Sequence, residues 1–276
     1  MPDAALVSGH YSQGGLLAAI EAGVQALGKT PEVVTLDDLG PVEEFHIGGR
    51  AATRLVVEAL KLQPGAQVLD VGCGLGGPAR FVASAAGVQV AGIDLTPEYI
   101  ETGQVLNRWV GLADRVCLAV GDATALPQAD ASMDAAYMLH VGMNIADKSR
   151  LAAELARVVK PGGRIVIYDV MLTGDPDLAF PVPWATNAAG SVVEAPDVYR
   201  QALTAAGLTV VAEESKRDFA LDFFARQRQA LAKAGGPPPL GLHLVMGESR
   251  AEKVANMVEN ISQGRLAPFM MVAEKP

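Results

Sequence analysis

The chain has little cysteine and histidine, which argues against two common kinds of site. Among its 276 residues there are 2 cysteines, Cys73 and Cys117, and 4 histidines. Two cysteines are too few for a disulfide-bonded scaffold, and neither they nor the histidines have the spacing of metal ligands. We therefore expect both cysteines to behave as small buried hydrophobic residues, and we expect no metal site built from protein side chains.

Basic residues and long apolar runs are also scarce. The 22 lysines and arginines are outnumbered by 31 aspartates and glutamates, which gives a formal net charge of −9. A protein that binds nucleic acid through its phosphates needs a basic face, so this charge disfavours DNA or RNA as a partner. No apolar run is as long as a membrane span, and the first residues lack the basic flank and apolar core of a signal peptide. We expect a cytoplasmic protein with no membrane partner.

Hydrophobic residues are abundant, at 50% of the total, and they follow an alternation of strand and helix patterns. Short, nearly continuous apolar runs at 66–72, 88–95, 115–123, 133–141 and 163–171 predict buried strands. Segments with helical spacing lie between these runs. Right-handed crossovers and a parallel sheet covered on both faces are therefore expected, which is an α/β fold.

Regions outside this alternation predict the remaining organisation. Residues 1–64 are expected to form an N-terminal helical cap, and residues 65–276 the main domain. The segment at about 172–192 is rich in proline, glycine and alanine, and we expect it to form a surface lid. The last strand pattern, at 267–275, follows a helical run, which predicts a final antiparallel addition to the sheet.

The stretch VLDVGCGLGGPAR, residues 68–80, places a cluster of glycines between a predicted strand and a predicted helix. Such a turn lets backbone N–H groups and the helix N-terminus approach a ligand with no Cβ in the way. In a parallel sheet the ligand then binds at the carboxyl ends of the strands. Two ligand classes suit this turn: a dinucleotide, whose pyrophosphate needs the positive helix end, and S-adenosylmethionine, which has no phosphate.

Three aspartates at successive predicted strand ends discriminate between these ligands. Asp70 directly precedes the glycine turn, where a carboxylate would repel pyrophosphate and attract an ammonium or a sulfonium. Asp94 lies about twenty residues beyond the turn, where it can accept both ribose hydroxyls of either ligand. Asp122 is positioned to accept the exocyclic amine of adenine. Together the three acids favour a cationic adenosyl ligand.

Four segments resemble, in order and spacing, the motifs of class I S-adenosylmethionine-dependent methyltransferases: VLDVGCGLGG, GIDLTPEYI, GDATALP and LARVVKPGGRIVIYD. The resemblance covers roughly residues 45–171. Within the family, the sequence looks like the small-molecule branch of ubiquinone/menaquinone C-methyltransferases, tocopherol methyltransferases and sarcosine/dimethylglycine N-methyltransferases. The resemblance implies a Rossmann-like, mostly parallel seven-stranded sheet with helices on both faces. It also implies S-adenosylmethionine as the cofactor and a small-molecule methyl acceptor.

The resemblance further implies which residues contact the cofactor. Asp70 and the glycine turn would face its methionine part, Asp94 its ribose, and Asp122 the edge of its adenine. The implied positions are Tyr11, Asp70, Gly72, Cys73, Gly74, Asp94, Leu95, Asp122, Ala123 and His140. His46 and Gly49 lie in a segment that resembles the part of related enzymes that closes over the cofactor, so they are further candidates.

His140, at the end of the fourth predicted strand, is the residue with an implied catalytic role. It would face the methyl donor, and an unperturbed pKa of about 6.5 suits a general base that deprotonates an acceptor hydroxyl or ammonium. Two other interpretations stay open. The histidine can be hydrogen-bonded to the backbone in a purely structural role, and methyl transfer can require only proximity and orientation.

The methyl acceptor and the partners are less well defined. The apolar 172–192 segment, with its exposed-looking aromatics Phe180 and Trp184, favours an apolar or aromatic metabolite, whereas Asp175 or Glu194 could recognise an amine. A homodimer is consistent with the resemblance. Two alternative functions compete: an NAD(P)-dependent oxidoreductase with the same type of sheet, and a non-catalytic module that binds S-adenosylmethionine.

Overall fold

Seven β-strands form one sheet in the computed structural model, which describes residues 4–12 and 14–276. The strands are β1 (Gln67–Val71), β2 (Gln89–Asp94), β3 (Val116–Val120), β4 (Met133–Leu139), β5 (Val159–Leu172), β6 (Thr209–Ser215) and β7 (Leu266–Glu274). Their order across the sheet is β3-β2-β1-β4-β5-β7-β6, and all pairings among β1 to β5 are parallel. The predicted Rossmann-like, mostly parallel seven-stranded sheet is confirmed.

Eleven α-helices in the described part of the chain surround this sheet. They are α1 (Ala4–Tyr11), α2 (Leu16–Ala26), α3 (Leu36–Glu43), α4 (Gly49–Leu60), α5 (Gly77–Ala86), α6 (Pro97–Trp109), α7 (Lys148–Val158), α8 (Pro196–Ala205), α9 (Arg217–Ala234), α10 (His243–Met246) and α11 (Arg250–Ser262). Helices α1 to α4 precede the first strand. Within the same described part, no helix has both the length and the apolar character needed to cross a membrane.

Successive residues of β1 pack on opposite faces of the sheet, which is why both faces carry helices. Leu69 lies in a hydrophobic cluster with Leu151 of α7. Its neighbour Val68 lies in a second cluster with Val56 of α4 and Val82 of α5. Because side chains alternate between faces along a strand, a strand that is apolar at every position needs helices on both sides.

The antiparallel strand β7 confirms one expectation from the sequence, and the edge strand β3 contradicts another. Strand β7 runs antiparallel between β5 and β6, as the last strand pattern predicts. Cys73 is buried, but Cys117 is exposed, contrary to the expectation for both cysteines. Cys117 lies on the edge strand β3, where the buried positions Val116 and Leu118 alternate with exposed ones, so its side chain points to the uncovered face.

The fifth strand begins earlier than the sequence indicates. Helix α7 ends at Val158, and Val159 already pairs with Met133 of β4. The register then shifts, and Arg164 pairs with Ala135. The residues KPGG, 160–163, therefore lie in an irregular stretch within β5, whereas the apolar run predicts a strand that begins only at residue 163.

Helices α2 and α3 pack against α6, and hydrogen bonds join the start of α2 to it. Ile20 of α2 and Leu39 of α3 share a buried cluster with α6. The carboxylate of Glu98, in the first turn of α6, accepts hydrogen bonds from the backbone N–H groups of Gly14 and Leu16 at 3.0 and 3.1 Å. The first N–H groups of a helix have no partner within it, so this contact fixes the start of α2 against α6.

Hydrogen bonds from two asparagine side chains of α11 hold the 172–192 segment against that helix. The amide of Asn260 accepts a hydrogen bond from the N–H of Ala179 at 2.9 Å and donates one to its carbonyl at 3.0 Å. Asn256, one turn earlier, donates to the carbonyl of Pro181 at 3.0 Å. Two residues spaced by four positions share one face of a helix, so a single face of α11 holds the segment.

The two aromatic residues of this segment are not exposed, which corrects the expectation from the sequence. Trp184 is 4% exposed and packs in a cluster with Ile47, Val170 and Met257, while Phe180 is half-buried against the same cluster. The reason is that residues of β5 and α11 pack against the segment, a contact that local composition does not reveal.

Candidate active site

The turn after β1 needs glycine at two positions for different reasons. Gly72 has a φ of +73°, and a Cβ there would lie 2.3 Å from Cγ2 of Val141. Gly74 has a φ of +52°, but a Cβ there would meet no closer atom than one of the Tyr99 ring, 4.0 Å away. Position 72 therefore requires glycine because the loop after β4 approaches it closely. Position 74 requires it for the left-handed backbone and leaves open space beside the turn.

Asp70, near the end of β1, is a buried acid with an altered pKa. Its side chain is 1% exposed, and the Tyr137 hydroxyl donates a hydrogen bond to its Oδ2 at 2.8 Å. Burial raises the pKa of Asp70 to about 8 in spite of that hydrogen bond, and the charges of Asp94 and Glu44 add to the rise. A nearby positive charge would favour the ionised form.

Asp94, at the end of β2, joins the glycine turn to the start of α6. Its Oδ2 accepts a hydrogen bond from the N–H of Gly74 and its Oδ1 one from the N–H of Thr96, both at 2.9 Å. Burial nevertheless raises the pKa of Asp94. Each carboxylate oxygen has two lone pairs, so each can accept a further hydrogen bond from a ligand.

Neither of these acids has a basic partner. Among the ion pairs of residues 4–12 and 14–276, none includes Asp70 or Asp94. Buried carboxylates are normally paired with a cation or bound to a metal. Within the described residues, no group of three or more histidine, cysteine, aspartate or glutamate side chains is arranged to hold a metal ion.

Asp122 follows β3 and forms a local turn. Its Oδ1 accepts hydrogen bonds from both the N–H and the hydroxyl of Thr124, each at 2.8 Å. The carboxylate is exposed, whereas the adjacent Ala123 is buried and packs against the sheet. Both bonds fall on one oxygen, so the other oxygen is available to a ligand. Leu95, half-buried after β2, lines the same space.

His140 follows β4 with a left-handed backbone, at φ +54°. Its ring stacks on that of Tyr168, with 5.1 Å between the centroids and 15° between the planes. Nδ1 accepts a hydrogen bond from the N–H of Ile47 at 3.4 Å, and the buried Nε2 has no hydrogen-bond partner among the described residues. Burial, together with the nearby His46, holds the pKa of His140 well below its usual value. His140 is therefore uncharged at neutral pH.

His46 lies next to His140 and has a different set of contacts. Its ring centroid is 6.1 Å from that of His140, and its Nε2 donates to the carbonyl of Gly49 at 3.0 Å. The carboxylate of Glu44 lies 3.5 Å from the same nitrogen. Burial lowers the pKa of His46 although Glu44 opposes this shift. The second histidine is therefore also neutral and is fixed by the segment that carries it.

Helix α1 reaches the same space from the N-terminal side. The Tyr11 hydroxyl accepts a hydrogen bond from the side-chain amide of Asn144 at 3.1 Å, and burial raises the pKa of Tyr11. Nε2 of His10 lies 3.1 Å from the carbonyl of Pro183, so α1 also contacts the 172–192 segment. These contacts close one side of the site.

The structure brings the predicted residues together around one cavity. All ten implied cofactor positions line it, and so does His46, whereas Gly49 does not. The cavity continues into an apolar wall formed by Trp184, Phe223, Phe224, Met246, Val254 and Met257. Asp175 and Glu194 are exposed and are not among the lining residues, so the expectation that they recognise an amine is wrong.

Comparison with known proteins identifies the central part of the chain. Its sequence matches the methyltransferase-domain family over residues 69–167, which include the glycine turn, Asp94, Asp122 and His140. Residues 69–167 form a methyltransferase domain. The resemblance of the motifs to the class I S-adenosylmethionine-dependent methyltransferases is confirmed.

Relatives of the methyltransferase domain come from bacteria, fungi and plants. Methyltransferase GfsG of Streptomyces halstedii is 33% identical over 172 residues, which are 62% of this chain and 60% of that protein. O-methyltransferase resE of Aspergillus sclerotiorum is 34% identical over 172 residues, 62% of this chain and 63% of that protein. The aligned part of the chain thus spans about three fifths of these two relatives.

Solved structures share the fold of the methyltransferase domain and its surroundings. The [4+2]-cyclase SpnF superposes with a TM-score of 0.70 at 24% identity over 100% of this chain and 97% of that one. A geranyl diphosphate methyltransferase gives a TM-score of 0.66 at 21% identity over 83% of this chain and 79% of that one. Because one of these proteins is a cyclase, the reaction must be argued from the site and not from the fold.

A buried ion pair behind the glycine turn was not predicted from the sequence. Arg80 of α5 is fully buried and donates to the carboxylate of Glu43 in α3, to the carbonyl of Leu75 at 2.7 Å and to Oδ1 of Asn107 at 2.7 Å. Burial raises the pKa of Glu43 although Arg80 opposes the shift. The pair ties the N-terminal helices to the methyltransferase domain. Its only sequence signal is a lone charge in the otherwise apolar start of α5.

The apolar wall that α9 and α11 contribute to the cavity was also missed. It comes from α9 and α11, which contribute Phe223, Phe224, Val254 and Met257. These helices lie between the last two strands, outside the matched domain. The adjacent aromatics in the DFALDFF stretch were an available signal, because two neighbouring phenylalanines on a surface helix need a covering partner or a ligand.

Proposed function

We propose that the protein transfers the methyl group of S-adenosylmethionine to an O, N or C atom of a small, apolar metabolite. The observation that carries this proposal is the pair of acids beside the glycine turn, the buried Asp70 and the half-buried Asp94, which have no basic partner among the described residues. A ligand with a sulfonium and an ammonium supplies the missing positive charge. A dinucleotide would bring the negative charge of its pyrophosphate, which opposes the alternative of an oxidoreductase.

The residues around the turn suit the parts of this cofactor. Asp94 retains acceptor capacity on both oxygens for the ribose hydroxyls, and Asp122 retains one oxygen for the adenine amine. Leu95 and Ala123 offer apolar contact to the base. The open space beside Gly74 accommodates the amino-acid tail. When bound, S-adenosylmethionine supplies an electrophilic methyl group.

We propose that His140 contacts the acceptor in its neutral form. The N–H of Ile47 donates to Nδ1, which favours the tautomer with the proton on Nε2. Nε2 then donates a hydrogen bond to an acceptor oxygen and orients it. The general-base role expected from the sequence requires the opposite tautomer, in which the N–H on Nδ1 would face the N–H of Ile47. The geometry therefore supports orientation by His140 over deprotonation.

The walls of the cavity support an apolar acceptor and the exclusion of water. Phe223, Phe224, Val254 and Met257, which line the cavity together with His140, have only hydrocarbon and thioether side chains. The contacts of α1 with Asn144 and with the 172–192 segment cover the site on the side of Tyr11. Removing water strengthens every hydrogen bond inside the site and protects the methyl donor from hydrolysis.

We further propose that the protein acts in the cytoplasm, as a homodimer, and without nucleic acid. The net charge of −9 supports the absence of a nucleic-acid partner, because phosphate contacts need a basic face. The family resemblance supports the dimer. Size-exclusion chromatography with light scattering tests the dimer, and a monomer at micromolar concentration would contradict it.

A labelled-methyl assay tests the proposed reaction. S-adenosylmethionine with a radioactive methyl group is incubated with the protein and a panel of apolar alcohols, phenols, amines and carboxylic acids. We expect label in a product extractable into organic solvent, and much less label with the Asp94→Ala variant when S-adenosylmethionine is limiting. Binding of the cofactor without label transfer to any member of the panel would instead support a non-catalytic module.

A further inference from the structure

One arginine in the wall of the cavity has no partner. Arg250, the first residue of α11, lines the cavity beside Met246 and Val254. Its Nε is buried without a hydrogen-bond partner, and no ion pair in the described part of the chain includes it. The buried Arg80, by contrast, is paired with Glu43. Arg250 is half-buried, and its enclosed Nε lacks an acceptor, which is unfavourable for a charged group. Its position in the cavity wall therefore indicates a ligand that supplies an anionic group.

A second unpaired cation lies one turn further along α11. Lys253 is 8% exposed and takes part in none of the ion pairs found among residues 4–12 and 14–276. Burial alone lowers the pKa of Lys253, with no carboxylate near enough to oppose the shift. Residues three positions apart share one face of a helix, so Lys253 and Arg250 lie on the same side of α11.

Two histidines lie near these cations, and the acids closest to Arg250 in the sequence form no ion pair with it. Burial lowers the pKa of both His10 and His243, and the charges of Lys253 and Arg250, respectively, add to these shifts, so each cation lies near a histidine. The nearest acids in sequence, Glu248 and Glu252, are exposed and form no ion pair with Arg250. The free N–H groups at the start of α11 add partial positive charge.

The lining of the cavity therefore carries charges of both signs. Asp70 and Asp94 supply acidic groups, Arg250 supplies a basic group, and many of the other lining side chains are apolar. We propose that the methyl acceptor is an apolar molecule with one anionic oxygen group, a carboxylate or a phosphate, that binds to Arg250 with support from Lys253. This inference rests on the proposed function, because it names the class of acceptor that the methyltransferase would take.

The proposed recognition has a clear physical basis. The planar guanidinium of Arg250 can donate two parallel hydrogen bonds to a carboxylate or a phosphate, and low local dielectric strengthens them. Fixing the anionic group at Arg250 leaves the apolar body of the acceptor to extend along Phe223 and Met257 toward His140. The positive cofactor and the negative acceptor group then each meet side chains of opposite charge.

Three probes with the same decyl chain and different head groups test this proposal: decanoate, decyl phosphate and decanol. Their binding to the full chain is measured by calorimetry in the presence of saturating S-adenosylhomocysteine. We expect at least one of the two anions to bind about tenfold more tightly than decanol, and Arg250→Gln to abolish the difference. Comparing the affinities of decanoate and decyl phosphate shows whether the site prefers a carboxylate or a phosphate.

Two controls separate the possible failures. Arg115→Gln removes the same charge from an exposed position outside the cavity and should leave all three affinities unchanged. Retained affinity of Arg250→Gln for S-adenosylhomocysteine shows that the variant is folded. A wild-type protein that prefers neither anion over decanol, or an Arg250→Gln variant that keeps the preference, would overturn the inference. Failure of the wild-type protein to bind S-adenosylhomocysteine would instead overturn the proposed function.

Discussion

The Tyr137 hydroxyl on β4 donates a hydrogen bond of 2.8 Å to the Asp70 carboxylate on the adjacent strand β1. Both side chains are fully enclosed, and no cation accompanies them among the described residues. Burial nevertheless raises the pKa of Asp70 to about 8, so the hydrogen bond from Tyr137 does not compensate for the loss of water. The site is therefore arranged to become negative when a positive ligand arrives.

Cofactor binding should release protons from Asp70. Near neutral pH, a pKa of about 8 leaves Asp70 mostly protonated, and a bound sulfonium and ammonium favour its ionised form. Affinity for S-adenosylmethionine should therefore rise with pH between about 6 and 7.5, where the ligand amino group stays protonated. Calorimetry at one pH in two buffers of different ionisation enthalpy measures the released proton. The Asp70→Asn variant should show no such release, and identical heats for the wild-type protein in both buffers would contradict the prediction.

Removal of the Asp94 carboxylate should weaken cofactor binding. Asp94→Ala loses the acceptor proposed for the ribose hydroxyls and also frees the N–H groups of Gly74 and Thr96. Hydrogen bonds to a charged group contribute about 1.5–3 kcal/mol, so affinity should fall at least about tenfold. Titration with S-adenosylhomocysteine measures this loss, and Asp114→Ala, at an exposed position, serves as the control. An unchanged affinity would mean that Asp94 does not contact the cofactor.

Substitutions of His140 distinguish orientation from base catalysis. His140→Ala should lower kcat while changing cofactor affinity little, because Nε2 is proposed to face the acceptor. A glutamine can donate a hydrogen bond but cannot remove a proton, so His140→Gln should retain much of the activity if the role is orientation. Since the pKa of His140 lies well below its usual value, wild-type activity should persist below pH 6.5. Equal loss of kcat in both variants would instead support a general base.

The ion pair between Glu43 and Arg80 should matter for stability. Arg80→Met leaves the Glu43 carboxylate buried without its partner, and breaking a buried pair in this way costs about 3–5 kcal/mol in free energy of unfolding. Glu43→Gln keeps a hydrogen-bond acceptor for Arg80 and should cost less. Chemical denaturation of both variants measures the difference. A loss below about 1 kcal/mol for Arg80→Met would show that the pair does not anchor the N-terminal helices.

The cofactor side of the site was predictable because its signals are local. Asp70, Asp94 and Asp122 each follow a short apolar run, and parallel strands place their carboxyl ends at one edge of the sheet. The ten implied positions therefore converge on one cavity, although their individual roles stay predictions.

The acceptor side was not predictable because it depends on contacts between distant segments. Arg250 is separated from His140 by more than a hundred residues, and the amphipathic pattern of α11 does not say which partner its face meets. Trp184 shows the same limit. Its proline-rich segment predicts an exposed loop, and the hydrogen bonds from the asparagines of α11 that hold this segment against the protein leave no local signal. The partner of Arg80 lies 37 residues away in the chain, and no local pattern connects them.

Isothermal titration calorimetry with S-adenosylmethionine, S-adenosylhomocysteine and NADH tests the central claim most directly. The unpaired acids Asp70 and Asp94 at the glycine turn predict binding of both adenosyl ligands with dissociation constants in the micromolar range, and no heat with NADH. Binding of NADH, or no heat with either adenosyl ligand, would contradict the assignment of the cavity to S-adenosylmethionine.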